Sequence, residues 1–264
     1  MGVLRRNNVK VFGQGRTPMI FAHGYGCDQN MWRFITPAFE TEYRIVLFDH
    51  VGSGQSDISA YDRVKYDRLE GYADDVLEIC RELDLTQGIF VGHSVSSMIG
   101  VLAAIKEPGR FAKLILVGPS PCYINDGDYV GGFNRTDIEG LLDFLDSNHL
   151  GWSSTMAPVI MGNPDRPELT EELTNSFCRT DPDIAKHFAR VTFLSDNRDD
   201  LSLLKARSLI LQCSEDVIAP IKVGEYVHRS LADSHLVIMR ATGHCPNLSA
   251  PEETIQAMRN FLAA

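Results

Sequence analysis

Gly92-His93-Ser94-Val95-Ser96 places a serine between the apolar run Ile89-Phe90-Val91 and the small and apolar stretch Ser97-Met98-Ile99-Gly100. A strand, a tight turn and a helix are expected there. On such a turn the serine hydroxyl projects above the sheet, and small neighbours tolerate the strained backbone that this requires. Ser96 stands where G-x-S-x-G has its second glycine, a departure that serine is small enough to allow. A serine is a poor nucleophile until a base takes its proton, and the base in turn needs an acid to hold its tautomer and stabilise its charge. Asp216, just past the apolar run Ser208–Leu211, is the candidate acid, with Glu215 as the alternative. His244, just past His235–Met239, is the candidate base. His228 and His235 fall within a helix pattern and a strand pattern, which suits packing or surface roles.

Acyl chemistry also needs donors for an oxyanion, one from the residue after the nucleophile and one from an early strand-to-helix loop. Val95 supplies the first. The run Ala22-His23-Gly24-Tyr25-Gly26 supplies the second, from the Tyr25 backbone, and leaves His23 a structural part in its turn. Gly52-Ser53-Gly54 resembles the start of a dinucleotide fingerprint but has Asp57 where the third glycine belongs, so it reads as a turn. No P-loop, HExxH or EF-hand spacing occurs, and neither a metal nor an organic cofactor is implied.

These residues must be held by something rigid. Six short apolar runs, Met19–Ala22, Arg44–Phe48, Gly88–Val91, Lys113–Val117, Ser208–Leu211 and His235–Met239, read as strands buried on both faces of a mostly parallel sheet. Between them, Leu69, Tyr72, Ala73, Val76, Cys80 and Leu83 recur at helical spacing. The alternation assigns the α/β class with right-handed crossovers. It stops at residues 121–194, where four helix patterns follow one another, at Thr136–His149, Trp152–Met161, Pro167–Arg179 and Pro182–Phe193. The expected organisation is a core of residues 1–120 and 195–264 with a helical lid, 121–194, inserted in it. That insert has 12 acidic residues against 5 Lys and Arg, a net of −7 out of the chain's −10, and reads as a solvated outer face.

The same net charge, from 25 Lys and Arg against 35 Asp and Glu in 264 residues, repels phosphate backbones and anionic lipid, so neither nucleic acid nor membrane is an expected partner. Six scattered cysteines without CxxC spacing read as reduced thiols. With neither a signal-peptide pattern nor a long apolar run, a cytoplasmic location is the expectation.

The runs His23–Gln29, Phe48–Gly54, Gly92–Ser96, Pro119-Ser120-Pro121-Cys122-Tyr123, Gly131-Gly132-Phe133 and Gly243-His244 together resemble the RsbQ group of α/β-hydrolases, over nearly the whole chain. RsbQ is a bacterial stress-response regulator, and the plant karrikin and strigolactone receptors belong to the same group. The resemblance implies a sheet of about eight strands under a four-helix V-shaped lid. It also implies an apolar pocket lined by Tyr25, Val95, Phe133, Trp152, Met156, Phe193 and Ile218. Two functions follow from it. One is a serine hydrolase that cleaves a small apolar ester, lactone or butenolide-like ligand. The other is a slow-turnover ligand sensor whose lid docks a PAS-domain serine phosphatase.

Overall fold

Alternation along the apolar runs sends successive side chains to opposite faces of one sheet. Met19, Phe21, Ile45, Leu47, Val91 and Leu211 pack into a core on one face, and Ile20, Ala22, Val46, Phe48, Phe90 and Ile210 into a core on the other. The computed structural model describes residues 2–264. Its elements in chain order are α1 Val3–Arg6, β1 Lys10–Phe12, β2 Pro18–Ala22, β3 Arg44–Leu47, α2 Leu69–Glu82, β4 Gly88–His93, α3 Val95–Lys106 and β5 Phe111–Val117. Four helices follow, α4 Arg135–Ser147, α5 His149–Met161, α6 Pro167–Arg179 and α7 Pro182–Phe193. The chain then returns to the sheet through β6 Arg207–Glu215, α8 Ile221–Ser230, β7 Ser234–Thr242, α9 Pro246–Ser249 and α10 Pro251–Ala263.

Among the described residues the sheet has seven strands in the order β1-β3-β2-β4-β5-β6-β7, parallel except for β1. All six expected strands are present, but the last is not buried on both faces as expected: β7 lies at the sheet edge, where His235 and Ile238 are exposed. The resemblance implies about eight strands, and the described residues form seven. At the amino end Val3–Arg6 coils into α1 and Arg6 pairs with buried Asp75 at 2.8 Å, leaving one short edge strand ahead of β2. Lys10, Val11 and Phe12 are all exposed, so β1 lacks the buried run that marks β2 to β6.

The order reverses at β2, because the chain goes to β3 on one side and then returns to β4 on the other. Open α/β sheets form their binding crevice at the carboxyl ends of the strands flanking such a switch. Here Ala22 at the end of β2 lies beside Gly92 in β4, so the loop after β2 and the turn after β4 emerge side by side.

α2 and α3 cover one face through Val76, Cys80, Met98 and Ala103. Met258 and Phe261 of α10, Trp32 and Phe39 cover the other, in one apolar cluster with residues of all four inserted helices, Leu142, Trp152, Phe177 and Phe193 among them. The helix starts follow local chemistry. Asn148 accepts a hydrogen bond from the Gly151 N–H and starts α5 three residues before the expected Trp152. Asp181 caps the Asp183 and Ile184 N–H groups ahead of Pro182.

Gly100 of α3 lies against the Phe90 ring of β4, where an added Cβ would overlap it. Gly100→Ala is therefore expected to destabilise the protein by about 1–3 kcal/mol. Thermal denaturation against wild type checks this, with a fall in Tm of about 2–4 °C per kcal/mol expected.

Candidate active site

Ser94 sits between β4 and α3 with φ 56° and ψ −123°, a conformation a side-chain-bearing residue adopts only under constraint. The constraint is visible on both sides. Its N–H donates to the Val117 carbonyl of β5 at 2.8 Å, and its own carbonyl accepts from the Ser97 N–H at 2.9 Å. Gly92 passes so close that a Cβ there would lie 2.5 Å from the Ser96 carbonyl oxygen.

His244 Nε2 lies 2.7 Å from Ser94 Oγ, and His244 Nδ1 lies 2.7 Å from Asp216 Oδ2. With the ring proton on Nδ1, donated to Asp216, Nε2 is free to accept the serine proton. Asp216 follows β6 directly, and its second oxygen accepts the Ile218 and Ala219 N–H groups at 2.8 and 3.0 Å, which aims the carboxylate. Glu215, the alternative acid, is exposed, and only its backbone takes part, accepting from the Gly243 N–H. The His244 N–H donates to Ile160 of α5 at 2.9 Å, and the His244 carbonyl accepts from His93 Nε2 at 2.7 Å. The base is thus gripped by one inserted helix and by the residue before the nucleophile.

The Tyr25 and Val95 N–H groups donate to no partner among the described residues, and they stand on the adjacent loop and turn at the switch point. Beneath them runs a polar network that Ser96 completes. Its hydroxyl donates to the His23 carbonyl and accepts from His50 Nε2 at 2.8 Å. The His50 N–H donates to His23 Nε2 at 3.1 Å, and His23 Nδ1 donates to the Gly24 carbonyl at 2.8 Å. Ser96 therefore does more than fit where a glycine is usual, because it ties the nucleophile turn to the loop that carries Tyr25. Sequence reasoning treated Ser96 as a tolerated departure, and nothing local shows that His50, 46 residues away, would reach it. Burial pulls His23, His50 and His93 below the ordinary imidazole value, His93 to about 3, so all three are neutral.

A cavity of about 30 Å³ opens onto Ser94 and His244. Tyr25, Phe193 and Ile218, expected to line a pocket, are on its wall. Phe133, Trp152, Met156 and the Val95 side chain are not. Trp152 is buried one layer behind, its ring 6.0 Å from that of Tyr25 and 5.5 Å from that of Phe177, while Phe133 and Met156 pack half-buried against the same core. The wall also contains Tyr123, Thr192, Cys27 and Cys245, none of them foreseen as site residues, although Tyr123 belongs to a run already singled out. Burial pushes the Cys27 thiol up to about 12 and Cys245 well above its ordinary value, so both stay protonated and weakly nucleophilic. All six cysteines are free.

Residues 17–251 match the family described as alpha/beta hydrolase fold. The chain belongs to the alpha/beta hydrolase family. Within it, the "Strigolactone esterase D14" of Arabidopsis thaliana is 38% identical over 261 residues, covering 98% of this chain and 97% of that protein. The "Karrikin insensitive 2 receptor CA" of Petunia hybrida is 37% identical over 260 residues, 98% of this chain and 96% of that protein. These relatives are of the group the motifs resemble. A solved hydrolase from Oleispira antarctica superposes with a TM-score of 0.96 at 42% identity, over 99% of this chain and 96% of that one.

Ser96→Ala leaves a buried carbonyl and a buried imidazole N–H of this hydrolase unpaired, and is expected to cost about 1–3 kcal/mol per orphaned group in chemical denaturation. Acid should act through the three buried histidines. Unfolded, each takes a proton near pH 6.5, whereas folded each stays neutral to lower pH. The unfolded state then binds more protons, and stability present above pH 6.5 is lost at about 1.4 kcal/mol per histidine per pH unit as the pH falls toward the folded values. Tm measured from pH 7.5 down to 5 should fall progressively below 6.5, and a flat profile would contradict this.

Proposed function

We propose that this protein is a serine hydrolase that cleaves small, largely apolar esters or lactones through an acyl-enzyme. The observation that carries the reading is the line Ser94–His244–Asp216, with both hydrogen bonds at 2.7 Å, at the base of a cavity with apolar walls. Ser94 Oγ attacks the carbonyl carbon while its proton passes to His244 Nε2. Asp216 stabilises the imidazolium, and the Tyr25 and Val95 N–H groups receive the oxyanion. Collapse breaks the ester bond, and the leaving alcohol takes the proton from His244. A water, deprotonated by His244, then attacks the acyl carbon; the second collapse breaks the Ser94 Oγ–acyl bond and releases the carboxylic acid, and Ser94 Oγ takes the proton back from His244 Nε2. In a lactone the leaving oxygen stays attached to the acyl chain. A relative of this chain carries the name esterase, which agrees with the reading.

Helices α4–α7 act as the lid in this proposal. About 30 Å³ admits little more than a water, so any substrate enters by separating the lid from the core. The contacts to be parted include the Tyr25 hydroxyl on the Ala185 carbonyl at 3.1 Å, Ser176 Oγ on the Gly26 carbonyl at 2.7 Å, and the two-bond pair of Arg33 with Glu172 at 2.7 Å.

The closed cavity and the relative named as a receptor favour a second reading. Here the same machinery turns over slowly in the cytoplasm and reports its ligand through a change of lid shape. The partner implied by the resemblance is a PAS-domain serine phosphatase of a stress pathway. Among the described residues no helix is long and apolar enough to cross a membrane.

Ser94→Ala removes one small hydroxyl and should abolish cleavage of p-nitrophenyl acetate and butyrate with the fold intact. Equal wild-type and mutant rates after background correction would sink the mechanism. His244→Ala should lose on the order of 10³-fold or more in kcat. At high enzyme concentration, sustained turnover supports the esterase, whereas a burst near one equivalent followed by near silence supports the sensor.

A further inference from the structure

Two hydroxyls on the cavity wall have no part in the hydrolysis just described. Tyr123, on the loop after β5, and Thr192, near the end of α7, are each 1% exposed; the Thr192 hydroxyl has no hydrogen-bond partner, and the Tyr123 hydroxyl has no polar neighbour but the Ser94 side chain. Tyr123 faces Ser94 closely enough for the serine side chain to oppose part of the upward push that burial gives the phenol. The hydroxyl of Thr192 is unusual within its own chain. Ser153, Ser154, Thr174 and Thr254 all fold back in their helices onto the carbonyl four residues earlier, and Thr192 does not. Among the wall residues, His93 has the one other orphaned polar atom, Nδ1, and that is crowded by Gly24, where a Cβ would come within 2.5 Å.

Tyr123 is also held firmly. Its carbonyl accepts from the Phe133 N–H at 3.1 Å, and Gly131 runs so close under it that a Cβ would lie 2.5 Å from its backbone. Gly131 and Gly132 are fixed in turn by Asn125 Oδ1, at 2.9 and 3.0 Å. The motifs Pro119–Tyr123 and Gly131–Phe133 therefore build one support, and what it presents to Ser94 is a phenol. The same wall holds Phe177, Phe193, Leu173 and Ile218, so the two hydroxyls are conspicuous in an apolar lining. A buried hydroxyl left unpaired is costly, and a site built to pair with a substrate oxygen discriminates against the analogue that lacks it.

We propose that Tyr123 and Thr192 are specificity-determining donors, and that the substrate is a small ester or lactone bearing an acceptor oxygen (ether, ring or keto) besides its scissile carbonyl. The proposal rests on the esterase reading above and narrows it, because a plain hydrocarbon acyl ester would leave both hydroxyls unpaired.

The test compares two p-nitrophenyl esters of equal length, pentanoate and 3-methoxypropanoate, which differ by an ether oxygen in place of a methylene. After correction for their spontaneous rates, wild type should prefer the methoxy ester in kcat/KM. The double variant Tyr123→Phe/Thr192→Val should lower that preference about tenfold or more, and the single variants apportion the loss. A preference unchanged in the double variant, with both esters moving together, overturns the proposal. Titration calorimetry of both esters in the Ser94→Ala background, with and without Thr192→Val and Tyr123→Phe, reads the same preference without turnover. If Ser94→Ala retained the wild-type rate, the esterase reading would fail, while the binding preference would still decide on the two hydroxyls.

Discussion

The backbone of Ser94 is the constraint on which the rest depends. A residue with φ 56° and ψ −123° costs on the order of 1–3 kcal/mol and persists only where its surroundings leave no alternative. Here β5 holds its N–H, the first turn of α3 holds its carbonyl, and Gly92 and Gly100 bring strand and helix to a separation at which no side chain would fit. In return the hydroxyl stands clear of the sheet and meets His244, and the Val95 N–H is left pointing out of a helix start with no partner. A relaxed turn would forfeit both at once.

The strained turn is useful only if its neighbours are equally fixed, and the fold secures this by topology. The reversal of strand order at β2 brings the loop bearing Tyr25 beside the turn bearing Ser94. The Ser96–His23–His50 network then joins the two beneath the surface with neutral groups. Neutrality matters because an imidazolium buried this deeply, without an anionic partner, would pay heavily in desolvation. From above, α5 holds the base through Ile160, and Trp152, Phe188 and Phe193 pack their rings around Tyr25. Among such buried groups the oxyanion donors and the Asp216 charge act with less screening than at the surface, and the hydroxyls of Tyr123 and Thr192 carry weight that they would not have in bulk water.

Much of this was legible in order along the chain. Buried parallel strands must be apolar throughout, so β2 to β6 stand out, whereas exposed Lys10–Phe12 carries no such mark, and β7 has an apolar run although the sheet edge leaves most of it unburied. Helices α6 and α7 begin at prolines and end where their periodicity ends, so their bounds are local facts. Ser94, Asp216 and His244 were legible because each lies within two residues of the carboxyl end of a strand with an apolar run. The pocket was less so. Trp152, Phe133 and Met156 have the right chemistry for a wall, but helix rotation and packing set which apolar residues of the insert face Ser94, and they placed Phe177, Leu173 and Thr192 there instead.

By itself, then, the sequence determined the α/β class, the strand-turn-helix around the nucleophile and the chain order of serine, acid and base, because local sterics and hydrophobic periodicity govern these. Tertiary structure alone set aside Glu215, the alternative to Asp216, and decided that His50 reaches Ser96 and that two buried hydroxyls border the cavity. Those are matters of distance between segments far apart in the chain. They are settled by how strands register and how helices pack, which no local pattern encodes.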